Sequence, residues 1–116
     1  MARKQPETRF KEKILPILQK LPNSYFIKTQ MVALLGVPDI IGCVSGKFCA
    51  LELKRNSKEA KRLTGRVRLQ GHILLLIRNA GGYAEFCYPE NWEAIFSDLS
   101  KIADPKTVNN HVSFFR

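Results

Sequence analysis

The chain has 116 residues, of which 45% are hydrophobic and 25% charged, the proportions of a globular domain rather than of a disordered, collagenous or coiled-coil chain. Nineteen Lys and Arg against ten Asp and Glu leave a net charge of +9. No apolar run approaches the roughly 20 residues that a membrane helix needs, and the N-terminus carries no signal-like apolar stretch behind its basic residues. Three cysteines, Cys43, Cys49 and Cys87, make an odd count without a CxxC pair. That argues against a disulfide scaffold or a cysteine zinc site and favours a reducing, cytoplasmic setting.

In chain order, Phe10, Ile14, Ile17, Leu18 and Leu21 give residues 7–21 the period of an amphipathic helix. Pro16 predicts a kink or a late start there. Pro22-Asn23-Ser24 ends the helix, and Tyr25–Thr29 reads as a strand. A connection over 30–38 leads to a second strand, 39–44, then a tight Ser45-Gly46 turn and a third strand, 47–54, making a hairpin. Residues 55–65 read as a basic loop and 66–79 as a helix stopped by Gly81-Gly82. Residues 83–88 read as a fourth strand and 90–102 as a last helix with Trp92, Ile95, Phe96 and Leu99 on one face. The predicted order is α-β-β-β-α-β-α: an α/β (α+β) domain spanning 1–116, with a mixed sheet flanked by helices. The extension 103–116 ends Val112-Ser113-Phe114-Phe115-Arg116, apolar enough to pack on the body or on a second subunit.

The charge excess is concentrated. Lys54, Arg55, Lys58, Lys61, Arg62, Arg66 and Arg68 stand against Glu59 alone between 54 and 68, a net +6 in 15 residues. Such a patch suits a phosphate backbone, although a solvated loop can carry the same charges. It lacks the interleaved large apolar residues of a membrane-surface helix.

The third strand contains Leu51-Glu52-Leu53-Lys54. Side chains alternate along a strand, so Glu52 and Lys54 share one face and Leu51 and Leu53 the other. Pro38-Asp39 begins the hairpin partner, which can bring Asp39 beside Glu52. Two converging carboxylates make an oxygen site for Mg²⁺ or a similar hard cation. A nearby Lys can hold a phosphate or orient a water. Pro-Asp turns and Glu-x-Lys strands are individually common. The pair gains weight from the hairpin that joins its halves, the apolar strand that carries it and the basic stretch that begins at Lys54.

Gly36-Val37-Pro38-Asp39-Ile40-Ile41-Gly42, Gly46-Lys47-Phe48-Cys49-Ala50-Leu51-Glu52-Leu53-Lys54, Gln70 and Ala80-Gly81-Gly82-Tyr83-Ala84 together resemble the VRR-NUC branch of the PD-(D/E)XK nucleases, over about residues 7–100. The resemblance implies a restriction-endonuclease-like α-β-β-β-α-β core. It implies that Asp39 and Glu52 bind Mg²⁺ or Mn²⁺, with the Leu53 carbonyl as a further ligand, that Lys54 positions the water, and that Gln70 supports the site. It also implies a metal-facing Glu on the first helix. Of Glu7 and Glu12, helical geometry favours Glu7, which lies about 60° from Phe10 where Glu12 lies about 200° away. Glu7 also fits a first-turn acid that meets the helix dipole.

These residues predict a metal-dependent DNA endonuclease without an organic cofactor. Arg55, Lys58, Lys61, Arg62, Arg66 and Arg68 would track the DNA backbone. Stand-alone members of the resembled branch are similar to Holliday-junction resolvases and often homodimeric, which implies branched DNA as substrate and a two-fold dimer. The alternative is a nucleic-acid-binding module without activity, which accounts for the charge but not for Glu52 and Lys54 on an apolar strand. His72 reads as a packed or surface residue and the cysteines as small apolar ones. Tyr25, Phe26 and Tyr88 are either core or base-stacking aromatics.

Overall fold

A computed structural model describes residues 6–29 and 36–104. Helix α1 (Pro6–Gln19) starts on a proline, whose missing N–H costs nothing in a first turn, and carries Glu7 there to meet the dipole. The helix runs through Pro16 without interruption, so the expected late start is not observed. Pro16 lies on the exposed side, with Ile17 37% exposed beside it. Ile14 and Leu18, one turn apart, are fully buried instead. Ile17 therefore leaves the predicted apolar stripe.

Strand β1 (Ser24–Lys28) pairs antiparallel with β2 (Ile40–Val44), and β2 pairs antiparallel with β3 (Lys47–Leu53). Ser45 and Gly46 both have positive φ, 50° and 85°. That is the primed two-residue turn that follows strand twist, and Gly46 adopts it without strain. Gly42 answers a different need. A Cβ there would stand 2.3 Å from the Tyr25 carbonyl oxygen and 2.5 Å from the Phe26 ring, so only glycine lets β1 and β2 close.

After β3 comes a short helix, α2 (Ser57–Ala60), where the sequence predicted only loop. Asn56 caps it, its Oδ1 accepting from the Glu59 amide at 2.9 Å. Helix α3 (Gly65–Asn79) follows, capped by Thr64. It crosses over to β4 (Tyr83–Cys87), which pairs parallel with β3. Helix α4 (Trp92–Ile102) completes the order.

The result is a four-stranded mixed sheet, β1-β2-β3-β4, between helices. Ile14, Leu18, Phe26, Ile40, Leu51, Leu53, Ile95 and Leu99 fill the core between the sheet and helices α1 and α4. The Phe10 and Trp92 rings meet edge to face at 6.4 Å. The opposite sheet face meets α3 through a smaller cluster of Ala50, Leu74 and Ala84, flanked by Ile41, Ile77 and Phe86.

Cys49 and Cys87 are buried, as small apolar residues would be, and burial raises their thiols to about 11 and about 12. Cys43 is exposed, because its side chain falls on a part of the sheet that α3 does not cover. Phe26 is core and Tyr88 half-buried, but Tyr25 is 70% exposed on the edge strand. His72 lies on the exposed side of α3. Among the described residues no helix is long and apolar enough to cross a membrane. The extension read as 103–116 lies outside the described residues beyond Asp104.

Candidate active site

Asp39 is held at the mouth of β2 by its own backbone. Thr29 donates its amide to the Asp39 carbonyl at 2.8 Å and its hydroxyl to the Pro38 carbonyl at 2.7 Å. The Asp39 carboxylate then reaches across the hairpin, where Oδ2 accepts from the Leu53 amide at 2.9 Å. This clasp extends the β2–β3 ladder by one side-chain rung, and it sets Asp39 beside Glu52.

The alternation read from the sequence holds in three dimensions. Leu51 and Leu53 point into the larger core, while Glu52 and Lys54 face the side covered by α3. Glu52 is 5% exposed, Lys54 6% and Gln70 4%, the three buried polar or charged residues among those described. Buried polar groups are normally fully paired. Here Gln70 donates Nε2 to Glu52 Oε1 at 2.7 Å, but Glu52 Oε2 and Gln70 Oε1 have no partner. The Lys54 ammonium stands 5.9 Å from the Phe86 ring centroid, within cation–π reach.

The energetic cost appears in the protonation of Glu52. Burial first, and then the Asp39 carboxylate, push its pKa up to about 8, against the opposing pull of Lys54. A proton on Glu52 gives the carboxyl a hydrogen bond to Asp39. A cation between the two carboxylates would do the same work without the proton.

These residues line one cleft of about 190 Å³. Glu7 also lines it, as helical geometry favoured; Glu12 is exposed. Glu7 meets the carboxylate of Glu59. Burial and this hydrogen bond raise the pKa of Glu7. Glu59, accepting the bond and paired with Arg55 at 3.2 Å, is held below the usual carboxylate range. Glu59 is the charged site residue that sequence reading missed. Its signal was Asn56-Ser57-Lys58-Glu59, a helix-capping pattern inside what looked like a basic loop.

The basic stretch divides. Arg62 and Arg66 line the cleft with Thr64, whose Oγ1 accepts from the Val67 amide at 3.2 Å. Arg55 is engaged by Glu59, and Lys58, Lys61 and Arg68 are exposed outside the lining. Ser57 donates both its amide and its hydroxyl to Glu90 Oε2 at 3.1 Å, which ties α2 to the loop after β4.

The chain matches no protein-family model, no curated protein and no solved structure.

Among the described residues no three His, Cys, Asp or Glu side chains are gathered closely enough to hold a metal ion between them. A Mg²⁺ ion does not require that, since it commonly keeps several waters and takes one or two carboxylates. The donor set here fits such an ion: two adjacent carboxylates, one with a buried oxygen that receives no donor, and Gln70 Oε1 likewise without a donor. Glu7, turned to Glu59, stands one step back from this pair.

Proposed function

We propose that the protein is a metal-dependent DNA endonuclease with a PD-(D/E)XK-type site, hydrolysing phosphodiester bonds, with branched DNA as the preferred substrate and a homodimer as the working form. The observation that carries this reading is the buried Glu52: paired on one oxygen by Gln70, unpaired on the other, and set beside both Asp39 and Lys54. A non-catalytic nucleic-acid-binding module has no use for a carboxylate held at that cost.

Asp39 and Glu52 would hold Mg²⁺ or Mn²⁺, with the Leu53 carbonyl and waters completing the shell. When bound, such an ion lowers the pKa of a coordinated water and neutralises charge on the scissile phosphate. Gln70 fixes the Glu52 carboxylate in rotation by holding Oε1, which leaves Oε2 without a donor and available to a ligand. Lys54 offers N–H donors and a positive charge to the attacking water or to the oxygens that gain charge in the transition state. Its burial keeps that charge unscreened. Arg62 and Arg66 at the cleft, with Arg55, Lys58, Lys61 and Arg68 around it, supply the sequence-independent grip on the backbone.

The test is cleavage of a labelled four-way junction, with linear duplex and single strand alongside, in Mg²⁺, Mn²⁺ or EDTA. Metal-dependent cuts by the wild type that Glu52→Ala abolishes are expected. Salt-sensitive binding with no cutting in any metal would overturn the nuclease reading in favour of the binding module.

A further inference from the structure

The loop between α2 and α3 presents an apolar side chain that neither fold nor catalysis uses. Leu63 is 81% exposed, more than any other large hydrophobic residue among those described. Its position makes it unlike an ordinary surface leucine. Its neighbours Arg62 and Thr64 both line the active-site cleft, as does Arg66 two residues further on. Arg62 and Arg66 form no ion pair among the described residues. The segment Arg62-Leu63-Thr64-Gly65-Arg66 is therefore an exposed apolar tip between two guanidinium groups, at the rim of a cleft that holds Glu52 and Lys54.

The tip is also held in place. Thr64 caps α3, accepting from the Val67 amide with its side chain and from the Arg68 amide with its carbonyl at 3.0 Å. On the other side, Arg62 donates its amide to the Glu59 carbonyl at 3.3 Å, which continues α2. Leu63 thus projects from a short bridge between two capped helices.

Resting on the nuclease reading, we infer that Leu63 is a wedge that enters the base stack of DNA beside the scissile phosphate, while Arg62 and Arg66 hold the phosphates on either side. Apolar side chains inserted at a base step unstack it and bend the duplex, and flanking cations repay the distortion through the backbone. Unstacking costs least where stacking is already interrupted. Leu63 therefore makes the enzyme favour DNA with a nick or a branch over continuous duplex, and it is a specificity-determining residue rather than a catalytic one.

The experiment uses the full chain in EDTA, so that binding is read without cleavage. The probes are a nicked duplex, a four-way junction and a continuous duplex, each with 2-aminopurine at the positions flanking the discontinuity or its equivalent. The wild type should raise the 2-aminopurine fluorescence of the nicked and branched probes and bind them about tenfold more tightly than continuous duplex. Leu63→Ala should lose the fluorescence rise and most of that preference, while its affinity for continuous duplex stays within about twofold. Leu63→Phe, another apolar wedge, should restore both. Binding with unaltered fluorescence in the wild type, or a rise that persists in Leu63→Ala, overturns the wedge and leaves the nuclease reading standing. Failure of the wild type to bind any of the three probes also overturns the wedge, and the cleavage assay in Mg²⁺ or Mn²⁺ then decides the nuclease reading separately.

Discussion

Glu52→Gln should make the protein more stable at neutral pH, although it removes the residue on which the proposed activity depends. In the folded chain the Glu52 pKa is pushed from an ordinary 4.5 up to about 8, by burial and then by Asp39. Below pH 4.5 the carboxyl is protonated in both the folded and unfolded chains, and its burial is tolerated. As pH rises, the unfolded chain releases the proton first, so the folded state binds more protons and stability falls until pH passes about 8. At about 1.4 kcal/mol per tenfold difference in ionisation, the loss by pH 7 is on the order of 3 kcal/mol. Glutamine carries no charge to desolvate. Its Oε1 still accepts from Gln70, and its amide can donate to Asp39. The assay is thermal unfolding of both proteins in EDTA from pH 5 to pH 8. The wild type should lose on the order of 10 °C relative to the variant over that range. Other groups with raised pKa, Glu7 among them, titrate in both proteins and cancel in the difference. Parallel melting curves across the range would refute the claim that Glu52 is buried at an electrostatic cost. Added Mg²⁺ should restore the wild type at pH 8 and leave the variant unchanged, because only the former gains a ligand on folding.

Lys54→Ala should lower the cleavage rate by about a hundredfold or more, while DNA affinity in EDTA changes little; single-turnover kinetics beside a binding titration separates the two. Arg66→Ala should weaken binding to all DNA sequences alike and reduce the slope of log affinity against log salt by about one, read by titration at several salt concentrations. Gly42→Ala should cost about 3 kcal/mol or more in urea denaturation, since its Cβ would fall 2.3 Å from the Tyr25 carbonyl oxygen and β1 must move aside.

The pairing of Asp39 with Glu52 was legible because two local signals agreed. The Ser45-Gly46 turn fixed the hairpin, and a two-residue period fixed which face Glu52 and Lys54 share. Gln70 was legible only through the family resemblance, since nothing in a helix's own periodicity says which strand its polar residue will meet. Pro16 misled because helix propensity is a local cost. Burial of Ile14 and Leu18 against the sheet outweighs it when the proline itself lies on the exposed side. Helix α2 was hidden by charge: Lys58 lies within its four residues, Arg55 and Lys61 stand either side of them, and only the cap at Asn56 marked it. Glu59 was lost with it. Cys43 and Tyr25 came out exposed because α3 covers β3 and β4 but leaves this part of the sheet face open, a fact of tertiary placement that strand patterning does not contain.

The two faces of the sheet are held very unequally. Among the described residues, twelve buried ones knit helices α1 and α4 to one side, whereas three, Ala50, Leu74 and Ala84, anchor α3 to the other. Partial opening of a protein follows the thinnest apolar seam. Separation of α3 along this thinner seam would take Gln70 away from Glu52. An ionised Glu52 gains water when that seam opens, so its charge works as a spring against the closed form. A cation bound by the carboxylates would neutralise that charge in the closed form and weaken the spring. If the site binds a cation as proposed, its occupancy and the protection of α3 backbone amides from exchange would be two views of a single equilibrium.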